Sequence, residues 1–162
     1  VKLPNVAIIT ASNRASLGIY QDQSGEILAQ GLEQLGFHVA SQVIVSDNVS
    51  LISAEIARAI DLKIDLIVTT GGTGISPSDV TPEATAPLIQ KKLPGINEAL
   101  RALSRDKVPT TDLSRGLAGT ANQSLIINLP GSPGGVRDGL VIIGRLAPHA
   151  INQLAGTDHE QP

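Results

Sequence analysis

Apolar residues along this chain fall into short unbroken runs separated by stretches with helical spacing. Val6-Ala7-Ile8-Ile9, Leu66-Ile67-Val68 and Leu125-Ile126-Ile127 are too short for helices and carry no polar interruption, as in strands buried on both faces. Residues 39–45 alternate in part and read as a further strand. Between these runs, Ser24 is a candidate cap for a helix whose Leu28, Leu32 and Leu35 recur at i, i+4 and i+7, and Gly36 ends it. A second helix starts near Ser50, with Ile52, Ile56, Ala59 and Ile60 on one face. Strand, helix, strand, helix, strand predicts right-handed crossovers and a parallel sheet.

After the third strand the punctuation changes. Thr81 reads as an N-cap with Pro82 and Glu83 in the first turn, and Pro87 predicts a short or kinked helix. Pro94 opens another helix on the Ile96, Leu100, Leu103 stripe, with Glu98 and Arg101 off it. Residues 105–123 read as polar loop. The strand at residues 125–129 leads into a helical region over about 136–154 that Pro148 is expected to divide. One domain over residues 1–155 and a frayed tail over 156–162 are expected, with no internal repeat or linker.

Composition narrows the function classes. Hydrophobic residues make up 41% of the 162, yet Tyr20 and Phe37 are the only aromatics, so the core is aliphatic. A net charge of −3 and no basic run longer than Lys91-Lys92 argue against a nucleic-acid partner, which needs clustered cations. Without cysteine there is no disulfide, thiolate metal site or cysteine nucleophile. No apolar stretch approaches the roughly 18 residues of a membrane span and no signal-peptide pattern is present, so no membrane role and a cytoplasmic location are expected.

Candidate chemistry sits at the strand ends. Thr69-Thr70-Gly71-Gly72-Thr73-Gly74 closes a buried strand with a turn whose backbone suits an anion, and Asp79 follows. It is neither a P-loop nor a dinucleotide fingerprint, for no Gly-Lys-Ser/Thr follows and Pro77 stands where a third glycine belongs. No Gly-x-Ser-x-Gly elbow occurs, and His38, His149 and His159 lack metal-ligand spacing. The other strand-end loops carry Ser12-Asn13, Asp47, and residues 128–132. Asp47 reads either as a turn or helix-cap residue before Ser50 or as a metal-bearing carboxylate, and Asp79 offers the same two readings. Together on one rim they favour a Mg²⁺-assisted phosphate site, since carboxylates beside phosphate need a cation between them. Arg115 is either a phosphate clamp or a solvated side chain.

The ordered set Thr69-Thr70-Gly71-Gly72-Thr73-Gly74, Asp79-Val80-Thr81-Pro82-Glu83, Pro94-Gly95 with Glu98, Leu113-Ser114-Arg115 with Ala118-Gly119, and Asn128-Leu129-Pro130-Gly131-Ser132-Pro133 resembles the molybdopterin adenylyltransferase family, the MogA/MoaB group of molybdenum cofactor biosynthesis proteins. Ser12-Asn13-Arg14, Gly18 and Asp22 also fit. The resemblance implies an α/β fold, a three-layer α/β/α sandwich on a mostly parallel sheet with one antiparallel strand, assembled as a homotrimer. It implies Mg²⁺-dependent transfer of AMP from ATP to the molybdopterin phosphate with release of pyrophosphate, and the downstream molybdate-insertion protein as a partner. By the same resemblance Asp47 and Asp79 are the catalytic and metal-binding residues. Gly71, Gly72, Thr73 and Gly74 hold substrate phosphates, while Glu98, Ser114, Asn128, Pro130, Gly131 and Ser132 line the molybdopterin pocket. The family often carries Asp where Asn13 stands, which leaves Asn13 beside Ser12 as a substrate contact rather than a metal ligand. The alternative is a homologue that binds or assembles on molybdopterin without adenylyl transfer.

Overall fold

The computed structural model describes residues 2–157. Six strands form one sheet: β1 (Asn5–Ala11), β2 (His38–Val45), β3 (Leu66–Thr70), β4 (Lys91–Lys92), β5 (Ala118–Ala121) and β6 (Ser124–Leu129), in the spatial order β2-β1-β3-β6-β5-β4. The first four in that order are parallel, and β5 runs against both of its neighbours. The helices are α1 (Asn13–Ser16), α2 (Gln23–Gln34), α3 (Val49–Asp61), α4 (Thr81–Thr85), α5 (Pro94–Ser104) and α6 (Pro133–Leu154).

Strand alternation sorts the core into two layers. Val6, Ile8, Leu66, Val68, Leu125, Ile127 and Leu129 face α2, α5 and α6, meeting Leu28, Leu32, Ile96, Leu100, Ile142 and Ile143. Ala7, Ile9, Ile67 and Ile126 face the other way, onto Ile52, Ile56 and Ala59 of α3 and Ala84 of α4. Both faces of the sheet are covered, which is why the central strands read as continuous apolar runs. Each fully buried Ile or Leu contributes about 1.5–3 kcal/mol. The result is the three-layer α/β/α sandwich with one antiparallel strand that the resemblance implied.

Several local expectations change. Asp22, not Ser24, caps α2, its carboxylate accepting the Gly25 N–H, and Leu35 is left 41% exposed at the end of that helix. Asn48 caps α3 through the Leu51 N–H. Thr81 is the first residue of α4 rather than its cap, and α4 is short, giving way to a 3-10 turn at Ala86–Leu88 as Pro87 predicted. The expected loop at residues 105–123 contains a 3-10 turn (Pro109–Leu113) and β5, whose Ala-Gly-Thr-Ala sequence has little strand propensity and is held by its neighbours. α6 is not divided at Pro148, for Ile142, Ile143 and Ala147 anchor the preceding turns to the core. Of the expected frayed tail, Gly156 and Thr157 still hydrogen-bond back to Gln153 and Asn152, and the remainder lies outside the described residues.

Candidate active site

Parallel pairing brings four strand ends level, with Ala11 opposite Val45, Thr10 opposite Thr70, and Thr70 opposite Leu129. The loops that follow carry Ser12, Asp47, Gly71 and Pro130 to one edge. α2 and α3 pack on opposite faces of the sheet, so the strand order reverses at β1. The crevice between β1 and β3 is therefore the switch point at which open α/β sheets take ligands.

The turn after β3 lies against that crevice. Gly71 and Gly72 have φ of +94° and +68°, and a Cβ on Gly71 would stand 2.4 Å from the Ala11 carbonyl oxygen. No other residue type fits there without moving backbone. All four turn carbonyls are engaged within the protein. Gly71 O accepts the Thr81 hydroxyl at 2.9 Å, and Gly72 O accepts the Thr81 N–H at 3.1 Å. Thr73 O accepts the Arg115 N–H at 2.8 Å, and Gly74 O accepts Arg115 Nε–H at 2.9 Å. Of the N–H groups, only that of Gly71 is used, by Leu129 O. Those of Gly72, Thr73 and Gly74 donate to nothing among the described residues. A turn tied down by its carbonyls and open at successive N–H groups presents positive potential to a ligand.

A buried polar network braces the turn from below. Asn128 Nδ2 donates to the Thr69 and Thr85 hydroxyls, and its Oδ1 accepts the Leu117 N–H. The Thr85 hydroxyl donates to Thr81 O, and the Thr81 hydroxyl donates to Gly71 O. Asn128, Thr69, Thr81 and Thr85 are all fully buried. Because each of these four side chains is hydrogen-bonded within the network, it rigidifies the turn, and an unmade bond there would cost about 1–3 kcal/mol.

Two carboxylates flank the turn. The place a Cβ would take on Gly72 is 3.4 Å from Asp47 Oδ1, and that on Gly74 is 2.8 Å from Asp79 Oδ2. Asp47 Oδ2 accepts the Asn13 N–H while Asn13 Oδ1 accepts the Asp47 N–H, a reciprocal pair that locks β1's loop to β2's. Asp79 Oδ2 accepts the Ser76 N–H. The other oxygen of each carboxylate accepts no hydrogen bond among the described residues.

The turn is a wall between two cavities. One, of about 630 Å³, is lined by Ser12, Asp47, Gly71, Gly72, Asp79 and Gly131, together with Tyr20, Asp22 and Ser24. The other, of about 390 Å³, is lined by Thr73, Gly74, Ser114, Pro130 and Ser132, with Lys107, Val108, Leu113 and Asp138. In the second, Lys107 Nζ meets Asp138 Oδ1 at 2.7 Å and the Ser104 hydroxyl donates to Asp138 Oδ2 at 2.7 Å. Burial alone would raise the Asp138 carboxyl, but these two hydrogen bonds and the Lys107 charge outweigh it and hold the group below its ordinary value.

Two expected site residues are not brought to the cavities. Glu98 is exposed on the outer face of α5 and lines neither, because its neighbour Asn97 turns inward to donate to Asn128 O. Asn128 belongs to the brace, not to a cavity lining, since its place in β6 directs it between Thr69 and Thr85. Arg115 is partly exposed yet not free to clamp a ligand, its guanidinium being engaged by Gly74 O, Asp79 O and Glu83. Sequence reasoning passed over Tyr20, Lys107 and Asp138 as site residues. Only the left-handed Gly18 (φ +72°) two residues earlier hints that the chain doubles back to present Tyr20, whose hydroxyl lies 3.0 Å from that of Ser12.

Residues 7–149 match the family model described as "Probable molybdopterin binding domain". A molybdopterin adenylyltransferase of Helicobacter pylori is 41% identical over 158 residues, covering 94% of this chain and 88% of that protein. A molybdenum cofactor biosynthesis bifunctional protein of Synechococcus elongatus is 40% identical across 94% of this chain and 48% of its own length. The solved structure of the molybdopterin biosynthesis Mog protein of Mycobacterium ulcerans superposes with a TM-score of 0.89 at 46% identity, over 93% of this chain and 99% of that one. The chain belongs to the molybdopterin-binding MogA/MoaB family of molybdenum cofactor biosynthesis proteins.

Proposed function

We propose that this protein is a molybdopterin adenylyltransferase that joins AMP from ATP to the molybdopterin phosphate and releases pyrophosphate. The observation that carries this reading is the glycine turn: among the described residues its N–H groups at Gly72, Thr73 and Gly74 are unused, and a carboxylate with one unbonded oxygen stands at each end. The turn favours anions while the carboxylates repel them, a contradiction that a cation carried by the substrate removes.

The donor set fits Mg²⁺ arriving with ATP. Among the described residues no group of three or more His, Cys, Asp or Glu side chains could hold a metal alone. Mg²⁺ is usually held by one or two carboxylates, waters and substrate phosphate, so Asp47 and Asp79 suffice. Bound there, it would neutralise charge on the phosphates. The larger cavity takes ATP and the smaller takes molybdopterin, with Ser114, Pro130 and Ser132 along its wall and Lys107 as its cation. The N-termini of α2 and α6, which border the cavities at Ser24 and Ser132, add further attraction for phosphate.

An oxygen of the molybdopterin phosphate attacks the α-phosphorus, the bond to the β-phosphate oxygen breaks, and pyrophosphate leaves with that oxygen. No protein nucleophile is required, so the chain's work is alignment and charge stabilisation. The N–H groups of the turn orient the phosphates and its shared position between the cavities brings the two reactants together. The test is pyrophosphate release from ATP, Mg²⁺ and molybdopterin. Turnover is expected; tight molybdopterin binding with no pyrophosphate would replace this reading with that of a binding protein.

A further inference from the structure

We infer that Arg115 is a positioning residue that holds Asp79 and the anion-binding turn in register, an inference that rests on the adenylyl-transfer reading. Residues 74–79 leave the sheet edge as an irregular excursion with Ile75, Ser76, Pro77 and Ser78 exposed. Its internal bonds are local ones between Ser76 and Asp79. Such a segment has few packing contacts to fix the carboxylate it carries.

Arg115 closes it. The planar guanidinium donates from Nε to Gly74 O at 2.9 Å, where the excursion begins, and from Nη2 to Asp79 O at 3.1 Å, where it ends. Nη1 meets Glu83 Oε1 in α4 at 2.6 Å, and the Arg115 backbone N–H holds Thr73 O. One residue therefore ties the two ends of the loop to each other. It also occupies two of the four turn carbonyls, which keeps the N–H groups of Thr73 and Gly74 turned to the ligand side. The neighbouring Ser114 lines the smaller cavity, so the same staple sets the distance between the two reactants' walls.

The fork geometry matters more than the charge. Lysine carries one compact ammonium and reaches one carbonyl where arginine spans two. The Arg115–Glu83 ion pair is half exposed, its side chains 39% and 50% accessible, so it contributes little.

The test combines kinetics with NMR relaxation on the full chain. Arg115→Met is expected to lower kcat about tenfold to a hundredfold, with the molybdopterin KM changing less than about threefold, because alignment and not binding is lost. Backbone order parameters over residues 75–79 should fall from about 0.85 to below about 0.6, while sheet amides in the same sample stay rigid and report that the fold is intact. Arg115→Lys should restore neither readout, and Glu83→Gln should keep kcat within about threefold. Lost turnover with residues 75–79 as rigid as in the wild type would overturn the inference, as would retention of both. A Glu83→Gln loss equal to that of Arg115→Met would overturn the carbonyl staple in favour of the ion pair. If the wild-type protein releases no pyrophosphate, the adenylyl-transfer reading falls, and the relaxation data still decide whether Arg115 orders the loop.

Discussion

The two cavities share the glycine turn as a wall and differ in nearly everything else. The larger gathers Asp22, Asp47 and Asp79 and, among the described residues, has no lysine or arginine in its lining. The smaller is walled by Val108, Leu113 and Pro130 and carries one lysine, paired to Asp138. An acidic cavity next to unused backbone N–H groups accepts phosphate only with its own cation. An apolar one with a lysine suits a molecule that has a ring system and a single phosphate. Under the proposed reaction the contrast corresponds to different work on the two sides: charge neutralisation in one, recognition in the other.

Asp79→Asn tests the first half and should have the largest effect. It keeps the shape and the hydrogen bond from Ser76 but removes charge at the turn, and a fall in kcat of about a hundredfold to a thousandfold is expected. The melting temperature should stay within about 3 °C, because Asp79 is only partly buried and carries no core packing. Normal turnover would remove Asp79 from the reaction centre and with it the distinction between the cavities.

The next largest effect should come from below the wall rather than from either side of it. Asn128→Ala strands the Thr69 hydroxyl and the Leu117 N–H and takes from Thr85 its donor, though Thr85 keeps its bond to Thr81 O, and is expected to cost about 2–4 kcal/mol of stability in chemical denaturation. Since the brace serves both cavities, binding of ATP and of molybdopterin should weaken together. A loss confined to molybdopterin, with stability unchanged, would return Asn128 to the role of a ligand contact.

Asn128 also shows how far the sequence could be read. The strand it ends was legible from Leu125, Ile126 and Ile127, and the edge on which Asp47, Asp79 and the glycines meet followed from parallel order. What escaped was side-chain direction. Leu129 and Ile127 face one layer and Ile126 the other, so the strand's two-residue period puts Asn128 with Ile126, toward α4. Applied to Asn128, that same alternation predicts a buried brace instead of a pocket residue. Thr81 and Arg115 were misread for a different reason. A threonine before Pro82 has the chemistry of a cap, and an arginine in a polar stretch has that of a solvated or phosphate-binding side chain. Their actual partners, Gly71, Gly74 and Asp79, are set by tertiary contacts that no local pattern encodes. For Glu98 the local pattern did suffice: its spacing off the apolar stripe puts it on the exposed face of α5, outside the linings of both cavities.

Lys107→Met bears on the second half of the comparison. The lysine is 61% exposed at the mouth of the smaller cavity, so its loss should raise the molybdopterin KM about threefold to tenfold and leave that of ATP unchanged. A shift in the ATP KM instead would exchange the occupants of the two cavities.

The smallest effect, and the one that isolates the smaller cavity from catalysis altogether, is the acid response of Asp138. Its carboxyl is held below the ordinary value of about 3.8 because the hydrogen bonds from Lys107 and Ser104 and the lysine's charge outweigh the penalty of burial. A depressed folded-state value means that the unfolded chain takes up the proton first as pH falls. The contribution to stability is therefore complete above the unfolded value and drains away as pH drops through the folded one, with the sign opposite to that of a histidine gaining a partner. Denaturation midpoints measured between about pH 5 and pH 2.5 should fall less steeply in Asp138→Asn than in the wild type. Lys107→Met should flatten the same curve, because it removes both the strongest hydrogen bond and the charge that depress Asp138. Equal slopes in all three proteins would mean that the Lys107–Asp138 pair does not persist in solution, leaving Lys107 free to swing toward either cavity and the contrast between them without its cation.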